Sequence, residues 1–148
     1  MDTLALILAG APTSGVYRIA TRSSAQEIMH QAARHGWHGG YLSGRSIVDK
    51  ASFLRASARA LVFPTYFGHN WDAFEECLTD LSWLHCAGFL LLYDEPAHFA
   101  SNSPSEWQTV LSILQESADA WRQKRKPFYV LLRKTHGAAP EIPLVVTR

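Results

Sequence analysis

"TYFGHNWDAFEECLTDLSW", residues 65–83, places four carboxylates on one short segment with no lysine or arginine near them. Phe74, Cys77, Leu78 and Leu81 recur at i, i+3, i+4 and i+7, the spacing of one helix face. The spacing predicts a helix from Asn70, a good N-cap residue, to about Leu81. At roughly 100° per residue, Asp72, Glu75, Glu76 and Asp80 fall on the opposite side. Trp71 lies at the edge between the two faces, either a core flank or an exposed aromatic anchor.

Asp72 and Glu75 are favourable near the positive end of the helix dipole. Asp72–Glu76 and Glu76–Asp80, however, are like-charge i,i+4 pairs, each costing a few tenths of a kcal/mol. A helix shaped only for stability would carry a cation among them. The missing countercharge points to a partner that supplies it.

The same asymmetry runs along the chain. Seven Lys/Arg lie in residues 1–59 and seven in residues 122–148, and none lies between Arg59 and Arg122. That window holds nine acids, which hides behind a net charge of +1. Such a surface attracts a basic partner and repels a phosphate backbone, so nucleic acid is not an expected ligand.

The 148 residues are enough for one domain with a sizeable core, and 47% hydrophobic against 18% charged is a globular composition. No apolar run approaches the roughly 20 residues of a membrane span. "LALILAGA" (4–11) is preceded by Asp2 and no cation, unlike a signal peptide, and reads as an apolar arm packing on the domain. Cys77 and Cys86 are too few for a disulfide scaffold and fit a reducing, cytoplasmic compartment.

Outward from the acidic segment, "GFLLLYD" (88–94) and "FYVLL" (128–132) have the continuous apolar character of strands buried on both faces. Ser103, Pro104 and Glu106 predict a capping box and an N1 proline. The helix they open carries Trp107, Val110, Leu111, Leu114, Ala118 and Trp121 on one face. "VYRIA" (16–20) alternates like a short strand. "SAQE" (24–27) opens a helix to about Arg34 that buries Ile28, Met29, Ala32 and Ala33. A strand is expected around Gly40–Ser43 and a helix after Asp49, stopped before Pro64. Strands alternating with helices predict an α/β fold with a small parallel sheet packed with helices.

"PTYFGHNWDAFEECLTDLSW" closely resembles the loop-plus-helix signature of the barstar-like ribonuclease inhibitors. The matching residues are Tyr66, Phe67, Gly68, Asn70, Trp71, Asp72, Ala73, Phe74, Glu76, Cys77, Leu78 and Thr79. The order of elements around it matches as well: strand, helix, acidic helix, strand, short helix, long helix, strand. This divides the chain into an N-terminal strand–helix extension (1–36), a barstar-like domain (37–134) and a tail (135–148) with no clear core role. The extension either adds a strand and helix beside the sheet or forms a dimer surface. The oligomeric state is left open.

The resemblance implies a non-enzymatic inhibitor that fills the active site of a small basic ribonuclease, with no cofactor or metal. Asp72 and Glu76 would imitate substrate phosphates and pair with the enzyme's cations. Tyr66 would pack over the cleft, and Gly68 and Asn70 would shape the loop. Phe67, Trp71, Glu75, Thr79 and Asp80 complete the expected contact surface, and Glu116 and Asp119 on the long helix are secondary candidates from charge alone. Glu76 stands where the family has its central aspartate. Glu75 and Leu81 stand where it has tryptophans, which removes aromatic contact, adds charge and points to an altered partner.

Two other readings follow from the same residues. His69, Asp72 and Glu76, at i, i+3 and i+7, are placed to touch one metal ion, or the carboxylates to act as an acid/base pair. The fold would alternatively serve as an acidic interaction module with no ribonuclease target. Cys77, on the apolar face, reads as inert core. "GAPTSG" lacks the P-loop lysine, and "HGGYLSG" lacks the dinucleotide fingerprint.

Overall fold

Apolar strands separated by capped helices assemble into a single five-stranded parallel sheet in the computed structural model, which describes residues 2–147. In chain order the elements are α1 (Thr3–Gly10), β1 (Gly15–Ala20), α2 (Ala25–Arg34), β2 (Trp37–Ser43), α3 (Lys50–Ala60), α4 (Trp71–Asp80), β3 (Gly88–Asp94), α5 (Ala97–Asn102), α6 (Pro104–Gln123), β4 (Phe128–Arg133) and β5 (Leu144–Val146). The strands lie in the order β2–β3–β4–β1–β5. The α/β class expected from the alternation is the observed one.

Every residue of β3 and of β4 is buried, because helices cover both faces of the sheet. Phe89, Leu91 and Tyr93 with Phe128, Val130 and Leu132 face a core built with α3, α4, α5 and α6. Leu90, Leu92, Tyr129 and Leu131 face a second core closed by Leu4 and Ile7 of α1 and by Ile28 and Ala32 of α2. The apolar arm is thus a helix, capped by Asp2, whose carboxylate accepts from the Ala5 N–H at 2.8 Å.

The extension adds β1 beside β4, with Val16 in register with Val130. The tail takes a larger part than its composition predicts. Ala139 and Ile142 are buried in the first core, Val145 is in the second, and β5 pairs with β1. Its apolar residues are scattered among Pro and Gly, so no period marks them as core.

Three local expectations are corrected. In α2 Ala33 is exposed and Met29 half-buried, while Gln31 turns inward because its Oε1 accepts from the Leu4 N–H at 2.8 Å. The β2 strand begins at Trp37, three residues earlier than expected; Gly39 and Gly40 let it lie close under the helices, and a Cβ at Gly40 would meet the Ala60 carbonyl at 2.9 Å. The capping box at α6 does not form: Ser103 makes no side-chain cap, and Glu106 is taken up elsewhere.

The C-terminal ends of the strands are tied by a buried ion pair. Arg133 donates from Nε to Asp94 Oδ1 and from Nη2 to Asp94 Oδ2, both at 2.7 Å. Its Nη1 reaches the Ser23 carbonyl at 2.6 Å, and the Tyr41 hydroxyl donates to Asp94 Oδ2 at 2.7 Å. The Asp94 carboxylate therefore joins β2, β3 and β4, and the Arg133 guanidinium carries the link on to the turn after β1.

Candidate functional site

The acidic helix and the loop before it are held from below by aromatic packing. Phe74 meets Phe53 of α3 edge-on at 5.4 Å, and Trp121 of α6 donates from Nε1 to the Leu78 carbonyl at 2.9 Å. Phe74, Cys77, Leu78 and Leu81 are all buried, as the spacing predicts. Asn70 caps the helix, its Oδ1 accepting from the Ala73 N–H at 2.8 Å. Leu81 ends it in the left-handed conformation, φ 50°, which glycine more often supplies.

The loop is shaped by two further left-handed residues, Val62 (φ 54°) and His69 (φ 55°). For a β-branched residue this conformation is an outlier, held here by the Phe63 N–H donating to the Ala58 carbonyl at 2.8 Å. His69 donates from Nδ1 to the Phe67 carbonyl at 3.0 Å, in the tautomer that carries its proton there. A Cβ at Gly68 would stand 3.2 Å from the Asn70 side-chain nitrogen, so the glycine lets the turn close tightly over the cap.

The expected contact residues divide into two groups. Tyr66 is 75% exposed, and Gly68, Asn70, Asp72, Glu75, Glu76 and Asp80 are exposed with it. Among the described residues none of the four carboxylates of α4 lies in a salt bridge. The α4 face is therefore a run of free charge on a well-anchored helix.

The other residues are partly or wholly committed to the fold. Phe67 is buried, packed edge-on against Phe63 at 5.0 Å, so it supports the loop rather than offering surface. Trp71 is half-buried and serves as the core flank: its Nε1 donates to Glu106 Oε2 at 2.7 Å, and the Lys50 ammonium lies 5.2 Å above its ring. Thr79 is half-buried and its hydroxyl donates to the Glu75 carbonyl at 2.8 Å. Glu116 is exposed on the outer side of α6, about 200° around the axis from the buried Leu114. Asp119 is engaged by Arg122 at 3.1 Å.

Sequence reasoning did not foresee the Glu106–Trp71–Lys50 arrangement. Glu106 sits three residues after Ser103, where a capping role is the local expectation, and only the packing of α4 beside α6 redirects it. The metal reading fails on geometry: among the described residues no three His, Cys, Asp or Glu side chains come together to hold an ion. Cys77 is buried, and burial with the nearby Asp80 and Glu76 charges pushes its thiol pKa up, which makes it a poor nucleophile. No described helix is long and apolar enough to cross a membrane.

Residues 37–133 match the family model described as barstar (barnase inhibitor), a span of about two thirds of the chain that contains the whole loop and α4. The chain belongs to the barstar family. The family's description is that of an inhibitor rather than of a catalyst. None of the curated proteins is significantly similar to it.

Among solved structures, this barstar-family chain is similar to the ORC2 protein of Aeropyrum pernix. In the ADP form the TM-score is 0.61 at 14% identity, over 95% of this chain and 44% of that one. In the ADPNP–ADP complexes it is 0.58 at 15% identity, over 93% and 40%. At such identity the likeness is one of fold alone, and this chain spans less than half the length of either protein. It covers more of the chain than the 37–133 family match does.

Proposed function

We propose that this protein inhibits a small basic ribonuclease by docking α4 and the loop before it into the enzyme's active-site cleft. The observation that carries the reading is the set of exposed, unpaired carboxylates on α4, opposite a fully buried face. Asp72 and Glu76 accept charge-assisted bonds from the enzyme's arginines and lysines in place of substrate phosphate. Tyr66 covers the cleft, and Glu75 and Asp80 extend the negative surface. Glu76 reaches one methylene further than the family's aspartate, so the target is an enzyme whose cations sit correspondingly deeper. The protein has no reaction of its own in this reading, and its two free cysteines suit the cytoplasm.

The test is capture of ribonuclease from lysate of the source organism by the parent protein and by an Asp72→Ala/Glu76→Ala variant, with RNA cleavage assayed in each fraction. The parent is expected to hold and silence a basic ribonuclease. Truncating one side of a buried charge pair costs about 2–5 kcal/mol, so the variant should bind on the order of 30-fold or more weakly. Raised salt should slow association of the parent by screening. A ribonuclease held equally by both proteins would exclude α4 as the docking element. Capture of a partner with no ribonuclease activity would instead favour a general acidic interaction module.

A further inference from the structure

A notch of about 380 Å3 opens between the outer side of α3 and the loop before α4. Its floor is apolar, formed by Ala51 and Leu54, and its rim carries Lys50, Arg55 and His69. No carboxylate lines it. It adjoins the docking surface directly, since Lys50 lies over the Trp71 ring and Trp71 precedes Asp72.

Two acids beside Lys50, Asp49 and Glu106, are already used. Asp49 caps α3, accepting from the Ser52 N–H at 2.8 Å, and Glu106 holds the Trp71 indole. His69 turns its Nδ1–H inward to the Phe67 carbonyl and lines the rim with the rest of its ring. Two cationic side chains, Lys50 and Arg55, thus rim an apolar floor beside a surface that is otherwise negative.

We infer that this notch receives a glutamate side chain of the docked partner, its methylenes on Ala51 and Leu54 and its carboxylate between Lys50 and Arg55. The assignment rests on the docking reading above and deepens it. A partner must then present cations to α4 and, beside them, one carboxylate to the notch. Such a mixed pattern rejects nucleases that offer only positive charge, because an unmatched cation would face Lys50 and Arg55. It also gives a role to the positive charge that survives at the edge of an acidic site.

The experiment follows backbone amide signals of the protein by NMR while acetyl-Glu-methylamide is added, with acetyl-Gln-methylamide as the uncharged control. The glutamate probe should shift the signals of Ala51, Leu54, Arg55 and His69 with millimolar affinity, and the glutamine probe should not. In a Lys50→Glu/Arg55→Glu variant that keeps the parent's spectrum elsewhere, those shifts should disappear. Absence of shifts in the parent, equal shifts with both probes, or shifts that survive in the variant would overturn the notch. This result does not depend on α4: if Asp72→Ala/Glu76→Ala leaves ribonuclease binding intact while the glutamate probe still binds, it is the docking reading that fails. If the α4 variant loses the ribonuclease but Lys50→Glu/Arg55→Glu binds it as tightly as the parent, the notch plays no part in the complex and the inference fails.

Discussion

Asp94 and Asp72 are both aspartates of the acidic window, and the fold treats them in opposite ways. Asp94 is 4% exposed at the end of β3, where it takes two bonds from Arg133 and one from Tyr41. Asp72 is exposed on α4, with Glu76 one turn further along and no salt bridge to either among the described residues. Where this protein uses a carboxylate to hold itself together, it recruits the cation from another strand. The charges of α4 were given no such partner, although the chain carries fourteen Lys/Arg. Their absence from every internal network is the physical ground for assigning them to an external one.

The largest effect that sharpens this contrast is expected at the paired site. Arg133→Ala leaves Asp94 buried with only Tyr41 as a donor, and an uncompensated buried charge of this kind costs about 3–5 kcal/mol. Urea unfolding should record that loss, whereas Glu76→Ala should unfold close to the parent. If Arg133→Ala unfolded like the parent, the pair would contribute nothing and the contrast would collapse.

A smaller effect follows from pH. Burial alone would raise the Asp94 pKa, but the bonds from Arg133 and Tyr41 and the guanidinium charge outweigh it and hold the carboxyl below its ordinary value. A depressed folded pKa contributes stability that is complete above the unfolded value, about 3.9, and is lost as pH falls through the folded one. The parent should therefore lose stability more steeply than Asp94→Asn below about pH 4. Asp49, held low by its bonds to Ser52, titrates in both and supplies the common slope. Parallel curves for the two proteins, from urea titrations at several acid pH values, would remove Asp94 from the acid response.

How much of this was legible beforehand differs between regions for physical reasons. The face of α4 was readable because a helix in contact with one core repeats every three to four residues, and its cap, Asn70, is local. The runs 88–94 and 128–132 were readable because double burial leaves no polar position. The Asp94–Arg133 pair was not, since it joins residues 39 apart in the chain, in two different strands. Glu106 was misassigned for the same reason: its local pattern says cap, but the neighbouring helix offers an indole N–H. The tail was hidden because Ile142 and Val145 enter the two cores singly. Phe67 was counted with the contact surface from its place in the loop, while its burial depends on Phe63, four residues earlier and across a turn.

The smallest expected effect is also the most discriminating. Glu76 lies one turn from both Asp72 and Asp80, so Glu76→Gln relieves two i,i+4 repulsions at once while keeping the side chain's length. Each relief is worth a few tenths of a kcal/mol, with the sign of a gain. The free protein should melt about 1 °C higher as a result. Its hold on the proposed ribonuclease partner should weaken, because a neutral amide cannot replace the carboxylate among cations. A carboxylate needed by the fold would show the reverse, a lower melting temperature on losing its charge. Higher stability together with weaker binding is the signature of charge kept for a partner against the interest of the folded state, and a drop in melting temperature for Glu76→Gln would mean that α4 is no different in kind from Asp94.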